Sequence, residues 1–507
     1  MAINTNQNFE AELFKAADKL RKWIDAAEYK HIVLWLVFLK HISDSFSELY
    51  DKLKEDSFSD PEDRDEYMAE NIFFVPQISR WQNIQASAKL PEIGKIIDDA
   101  MDQIEKENKE LKNVLPKVFA KENLDKTSLW ELIDLISNLD LKSANKNSKD
   151  LFGRVYEYFL WEFANAEWKK WGQFYTPKCI VELMVNMIEP YKGRVYDPAC
   201  WSGGMFVMSE KFVEDHQWNI KDITIYGQES NQTTWKLSKM NLAIRNINSN
   251  FVKWNTEWSF LNDTHPDLKA DYILANPPFN QSDWWVEILQ DDARWKWYPV
   301  PPSGNANYGW ILHMLYHTAP NWVVATVLSN WSLSSNTSWE WEIRKQLVKN
   351  DLVECIVALP KQLFYNTWIP ACIWFLRRER TTRNNETLFI DASELWYMKD
   401  RVHKDLASED IKKISDTYHN WKQSKSATWE YQDIVWFCKS ANITDLEKHD
   451  FVLTPGRYVG IKEQEDDGIP FEDKMKILTE KLAEQMAKEE EMNNEIKKQL
   501  EKIGFKI

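Results

Sequence analysis

The stretch "DPACWSGGMF", Asp197 to Phe206, decides the fold. It follows the short apolar run "GRVYD" and precedes a helical pattern, so it reads as a strand, a glycine-bearing loop and a helix, an arrangement that brings backbone close to a ligand. Trp201 conflicts with that reading, because such a loop depends on positive φ and close backbone approach, and an indole obstructs both. The anomaly extends along the chain. There are 27 Trp against 13 Gly. Ordinary usage would give roughly 35 glycines in this length, close to what the two counts make together.

Outward from this loop, residues 150–445 form one domain. Up to about residue 400 it alternates β-rich runs ("GRVYD", "DITIYGQE", "ADYILANPP", "WVVATVLSN", "LVECIVALP", "ACIWFLRRE", "TLFID") with helical stretches. That alternation predicts a doubly wound, Rossmann-like α/β sheet with ligands beyond the carboxyl ends of its strands. Residues 1–145 show helical spacing, as in Phe9, Leu13, Ala16 and Leu20 and in "LWELIDLISNLDL", and predict a helical N-terminal domain. The acidic "EDSFSDPEDRDEY" within it reads as a solvated loop, and "KSANKNSKD" at 142–150 as a linker. Residues 446–507 form a C-terminal extension. Its Met475, Leu478, Leu482, Met486, Met492, Ile496, Leu500 and Ile503 recur at mostly three- or four-residue steps, the pattern of an amphipathic helix suited either to its own chain or to a partner.

A length of 507 residues implies two or three domains. The five scattered cysteines lack a C-x-x-C pair, which argues against disulfides and a zinc site and for a reducing, cytoplasmic compartment; no metal ligand set is expected. No signal peptide or membrane span is evident. The formal charge of −16 means that any nucleic-acid affinity is local or comes from a partner, since phosphate binding needs Lys and Arg to release counterions.

Two motifs carry chemistry. Strand, loop and the following "IYGQES" place Glu229 about two dozen residues beyond Gly204, where an acidic strand end hydrogen-bonds ribose hydroxyls; together they predict a nucleoside cofactor. The second motif is "ADYILANPPF", Ala270 to Phe279. It reads either as a proline turn ending a buried strand or as a device for an exocyclic amine. Such an amine is a poor nucleophile while its lone pair is delocalised. The Asn276 side-chain oxygen and the Pro277 carbonyl can each accept one N–H and draw the nitrogen towards tetrahedral geometry. Pro278 stiffens the turn, and Phe279 can stack on the base. That use requires a base out of its duplex.

"GQFYTP", "DPACxSGG" and "ANPPF", in that order behind a helical domain, resemble the modification subunit of type I restriction-modification systems, an S-adenosylmethionine-dependent adenine-N6 DNA methyltransferase. The resemblance spans roughly residues 8–460, with "GRVYEYFL", "GNANYGWILHML", "LFYNTWIPACIWFL" and "LTPGRYVG" in support. It implies that Gln173, Phe174, Tyr175, Thr176, Pro177 and Lys178 cover the methionine end of S-adenosylmethionine, and that Ser202, Gly203 and Gly204 lie against it. Asp197, ending the first strand, joins them in the cofactor site. Glu229 would hold the ribose, and Asp263 in "FLNDTHPD" is a candidate for the cofactor's adenine. Asn276, Pro277, Pro278 and Phe279 would form the catalytic turn. The resemblance also implies DNA bound through a complex, two copies of this chain per complex and a separate specificity subunit that reads the DNA site. Whether a restriction nuclease subunit is present stays open. Two other readings also stay open: a methyltransferase for an amide side chain of a protein, which poses the same delocalisation problem, and a non-catalytic scaffold that binds the specificity subunit.

Against the family pattern, Trp35, Trp161, Trp168, Trp171, Trp201, Trp331, Trp368 and Trp396 stand where glycine is expected, whereas Trp81, Trp295, Trp310 and Trp374 stand where an aromatic is expected. Random mutation would not choose one replacement each time. One origin fits both groups, a UGA codon that means glycine in the cell and is translated on paper as tryptophan. The alternative is a decayed homologue with a blocked loop.

Overall fold

The computed structural model describes residues 26–70, 72–122, 124–138, 176–216, 218, 222–364, 369–399, 403–460 and 471–502. One compact unit spans Met1–Val459 and a second spans Gly460–Ile507. The linker proposed at 142–150 and the apolar positions before residue 26 lie outside the described residues.

The principal N-terminal helices are α1 (Ala26–Glu55), α2 (Ile93–Glu107) and α3 (Lys126–Ser137). In α1 every residue from Ile32 to Leu39 is buried, so this part of the helix runs inside the layer rather than along its surface. Helix α2 buries Ile93, Ile97, Ala100, Met101 and Ile104 along one face. A Cβ on its Gly94 would sit 2.0 Å from the Phe119 carbonyl oxygen, so no side chain fits where the 118–120 turn crosses the helix. Asp98, one turn on, accepts the N–H groups of Phe119 (3.0 Å) and Ala120 (2.9 Å) and holds that turn in place. The Asp125 carboxylate caps α3 by accepting the Ser128 N–H at 2.7 Å. The acidic stretch is not wholly loop. A short helix, Arg64–Ala69, starts at Asp63, and its Tyr67 is buried and stacked on Phe46 at 4.4 Å.

The second half of the unit is a nine-stranded mixed sheet. Its strands are β1 (Gly193–Asp197), β2 (Ile223–Glu229), β3 (Val252–Trp254), β4 (Ala270–Ala275), β5 (Thr318–Ser329), β6 (Val353–Ala358), β7 (Ala371–Arg377), β8 (Glu386–Asp391) and, after a two-stranded ribbon of β9 (Tyr397–Met398) and β10 (Lys404–Asp405), β11 (Cys438–Asn442). The order is β11-β8-β6-β7-β5-β4-β1-β2-β3. Strands β3, β2, β1, β4 and β5 run parallel, β7 is inserted antiparallel between β5 and β6, and β11 closes one edge antiparallel to β8.

Both faces of the sheet are covered, which is why β6 and most of β7 read as unbroken apolar runs. One face packs on α4 (Lys178–Ile188), α5 (Gly204–Asp215) and α9 (Ser408–Lys422), and the other on α7 (Asn307–Tyr316) and α8 (Glu340–Lys349). Leu446, Phe451, Leu453 and Val459 join that second core, and Tyr458 stacks on Phe389 at 3.9 Å. The compact unit therefore closes at Val459, and residues 446–459, assigned from sequence to the extension, complete the sheet's cover. Beyond it, α10 (Phe471–Lys502) forms a helix whose Met475, Leu482, Met486 and Met492 are exposed. Among the described residues no helix is long and apolar enough to cross a membrane.

Helix α6 (Gln232–Ile244) joins the two halves. Its Leu237, Met240, Ala243 and Ile244 belong to the core of the N-terminal helices, while Leu242 belongs to the core of the sheet. We expect Met240→Ala to cost about 2–5 kcal/mol, the usual range for emptying a buried site, and to lower the melting temperature of both halves together. Separate transitions in calorimetry would show that α6 does not couple them.

Candidate functional site

Strand order and chain order part company between β1 and β4. From β1 the chain steps outward to β2 and β3, then returns to β4 on the other side. A crevice opens beyond the carboxyl ends at such a reversal, and a cavity of about 400 Å³ lies there. That volume falls within the roughly 300–1,000 Å³ of small-molecule sites. Its wall comes from Pro198, Ala199 and Trp201 after β1, from Gln228 to Asn231 and Thr234 at the β2–α6 junction, from Trp258 and Ser259 after β3, and from Asn276 and Pro278 after β4.

Glu229 is the acidic wall of this cavity. Its Oε2 accepts the Trp201 N–H at 3.0 Å and its Oε1 accepts the Asn231 N–H at 2.8 Å, so the carboxylate is fixed by backbone on both sides. Burial pushes its carboxyl up to about 7, although those same donors pull it down. Asp197, at the end of β1, is buried too. It accepts the Ala199 N–H at 3.0 Å. Burial pushes it up to about 8, opposed by that N–H and reinforced by the charge of Glu229. Asp197 stands behind the loop and is not part of the cavity wall.

The loop between them is built by backbone. Cys200 N–H donates to the Gln228 carbonyl at 3.0 Å, and Gly203, at φ 77°, starts α5. Ser202 is buried, with its carbonyl accepting from Asn241 Nδ2 at 2.7 Å. Ser202, Gly203 and Gly204 thus turn the chain into the helix and do not line the cavity. Trp201 does line it, at φ 43°, with its side chain half-buried against the core of the N-terminal helices. Left-handed backbone costs a residue with a Cβ roughly 1–2 kcal/mol.

Asn276 follows β4 and is buried. Its Nδ2 donates to Thr176 Oγ1 at 2.8 Å, and among the described residues its buried Oδ1 has no hydrogen-bond partner. Buried carbonyl oxygens are nearly always satisfied, so this one marks a place for a donor. Pro277 is buried beneath it and Pro278 reaches the cavity. Phe279 is half-buried and meets Phe364 edge-on at 5.5 Å. Pro177 is buried and caps α4, whose first residue, Lys178, is exposed. Gln173, Phe174 and Tyr175 lie outside the described residues.

Asp263 has a different setting. Its Oδ1 accepts the His265 N–H at 2.8 Å and its Oδ2 lies 2.8 Å from the buried His317 Nε2. Burial works to raise this carboxyl, but the His317 hydrogen bond and the neighbouring His313 and His317 hold it at about 2. It is not in the cavity wall. Arg294 donates to His313 Nδ1 at 3.1 Å, which leaves the ring's proton on Nε2, 3.3 Å from the Tyr196 hydroxyl. Asp263, His313 and His317 offer ligand-type atoms within 4.8 Å of one another, but the guanidinium of Arg294 already supplies the cluster's cation. It is an internal polar network.

Sequence reasoning missed Gln228, Asn231, Thr234, Trp258 and Ser259. Gln228 is the structural one. Its Nε2 donates to the Asn262 carbonyl at 2.7 Å and its Oε1 accepts from the Thr264 N–H at 3.0 Å, tying the loop after β3 to the end of β2. Ser259 Oγ, which donates to the Pro198 carbonyl at 2.6 Å, ties that loop to β1. Only position next to Glu229 could have pointed to Gln228.

Residues 147–467 match the family described as N-6 DNA methylase, and residues 9–136 match the HsdM N-terminal domain. The chain is 50% identical over 450 residues to the type I restriction enzyme HindI methylase subunit of Haemophilus influenzae, covering 85% of this chain and 100% of that one. It is 39% identical to the MjaIX methylase subunit of Methanocaldococcus jannaschii, covering 98% of this chain and 92% of that one. The fold is shared with the methyltransferase subunit of a type I restriction-modification system from Streptococcus thermophilus, at a TM-score of 0.75, 23% identity and coverage of 90% and 100%. With the cavity at the β1–β4 reversal and the Asn-Pro-Pro-Phe turn beside it, these matches settle the family: the chain belongs to the methylase subunits of type I restriction enzymes.

Proposed function

We propose that this chain transfers a methyl group from S-adenosylmethionine to N6 of adenine in DNA. The carrying observation is the buried Asn276 Oδ1, which has no donor among the described residues and belongs to a residue in the wall of a cavity that also holds Glu229. An amine N–H supplies that donor, and a ribose hydroxyl pair supplies donors for the free lone pairs of Glu229. S-adenosylmethionine, when bound, brings an electrophilic methyl on a sulfonium. The protein's part is positioning. Glu229 holds the nucleoside end, and Asn276 with the Pro277 carbonyl draws the amine's lone pair out of conjugation. Pro278 stiffens the turn and Phe279 steadies a base turned out of its duplex. Gln173 to Lys178 cover the methionine end, as the family resemblance implies. No acidic base is required at nitrogen, because the proton leaves after transfer.

The net charge of −16 supports delegated DNA reading. Two copies of the chain work with a specificity subunit in the cytoplasm, with or without a nuclease subunit. Family membership disfavours the amide-methylating and scaffold readings.

Two measurements test this. Asn276→Ala, assayed in the complex with the specificity subunit, should lower methyl transfer by roughly 10²–10³-fold, the scale of losing one aimed hydrogen-bonding group. Its S-adenosylmethionine affinity should stay nearly unchanged. Equal loss of both would remove Asn276 from the amine. Affinity for S-adenosylmethionine should rise as pH increases through about 7, where Glu229 becomes the better acceptor. Glu229→Gln should flatten that dependence, and an unchanged profile would sink the ribose assignment.

A further inference from the structure

We infer that Thr176 is the positioning residue of the methyl transfer, acting through Asn276; this rests on the function proposed above. An amide side chain is nearly symmetric in shape and opposite in chemistry at its two ends, so it helps an amine only if its oxygen faces it. Turned over, Asn276 would aim N–H groups at the amine, donor against donor. The Thr176 hydroxyl, 2.8 Å from Nδ2, is the hydrogen bond that holds the nitrogen end. The oxygen end, buried and without a partner among the described residues, is the end left for substrate. The hydroxyl belongs to a residue two positions before α4 and 100 residues away in sequence, so the chain brings it to Asn276 only through the fold.

Thr176→Val keeps the shape and removes the acceptor. In the full complex it should lower kcat at least tenfold, with KM for DNA within about twofold, while Thr176→Ser restores most of the rate. A wild-type kcat in Thr176→Val overturns the positioning role. Weakened S-adenosylmethionine binding with unchanged kcat also overturns it, and returns Thr176 to the cofactor. Asn276→Ala serves as the control: if it stays active, the failure belongs to the function proposed for Asn276 and not to Thr176 alone.

A separate observation carries a second inference. Among the described residues three tryptophans take left-handed backbone, Trp201 at φ 43°, Trp285 at φ 64° and Trp436 at φ 70°. That region is open to glycine and rare for a bulky residue. Trp285 and Trp436 are exposed as well, as are Trp331 and Trp396. By contrast, Trp81, Trp295, Trp310 and Trp374 are all at most 2% exposed, and Trp81, Trp295 and Trp374 donate their indole N–H to Ser137, Leu289 and Ser332. The described residues thus include tryptophans held as indoles in the core and three whose backbone favours glycine.

The geometry points to glycine at positions 201, 285 and 436 of the chain made in the cell, encoded by UGA. At 201 the loop keeps its N–H to Glu229 and sheds an indole from the cavity wall. UGA codons at these three positions and UGG at 81, 295, 310 and 374 are the expected result. Peptide mass spectra of the protein from its own cells should show glycine at 201. Tryptophan there, or UGG, overturns the inference at that position. In a chain expressed as written, Trp201→Gly should tighten S-adenosylmethionine binding, whereas a true tryptophan wall predicts weakening. The codon and mass readings do not depend on the function proposed.

Discussion

The reversal of strand order between β1 and β4 is the constraint on which the rest of this structure depends. Parallel strands on either side of such a point send their connections to opposite faces of the sheet, so no helix covers the ends of both strands. The open end is then walled by three loops. Backbone fixes the first two to each other, through Trp201 N–H to Glu229 and Cys200 N–H to the Gln228 carbonyl. The third is tied to them by Gln228 and Ser259. A change in any one of these loops therefore reaches the Glu229 carboxylate through hydrogen bonds already made.

Most of the sheet is legible in the sequence because its strands are buried on both faces, and such strands appear as short apolar runs whatever their partners. Direction is not legible. Nothing in "ACIWFLRRE" distinguishes the antiparallel β7 from its parallel neighbours, since periodicity is the same both ways along a strand. The three-residue β3 and the polar β11 escape sequence reading because an edge strand need not be apolar. A boundary at 445 falls short of the unit's end because charges around Leu446, Phe451 and Leu453 hide a stripe that only tertiary packing completes. The acidic stretch hides Tyr67 in the same way.

At the site, sequence locates the residues that stand directly at the ends of strands. Glu229 closes β2 and Asn276 comes just after β4, and the fold delivers both to one cavity. Asp263 sits in a loop, and its surroundings are set by His313 and His317, about fifty residues further on. No local pattern announces that pair. Thr176 reads as a cofactor residue from its motif. Its contact with Asn276 depends on where the segment before α4 lies against β4, which the motif does not encode.

Asp197 and Glu229 give the cavity its electrostatic character. Burial raises both carboxyls, Asp197 to about 8 and Glu229 to about 7, and the charge of Glu229 adds to the rise at Asp197. The loop around them supplies backbone N–H groups, and among the described residues no lysine or arginine lines the cavity. Full ionisation of the pair is therefore favoured by a positive charge brought in from outside. A positive charge near the pair favours carboxylate, the form that accepts hydroxyl donors best.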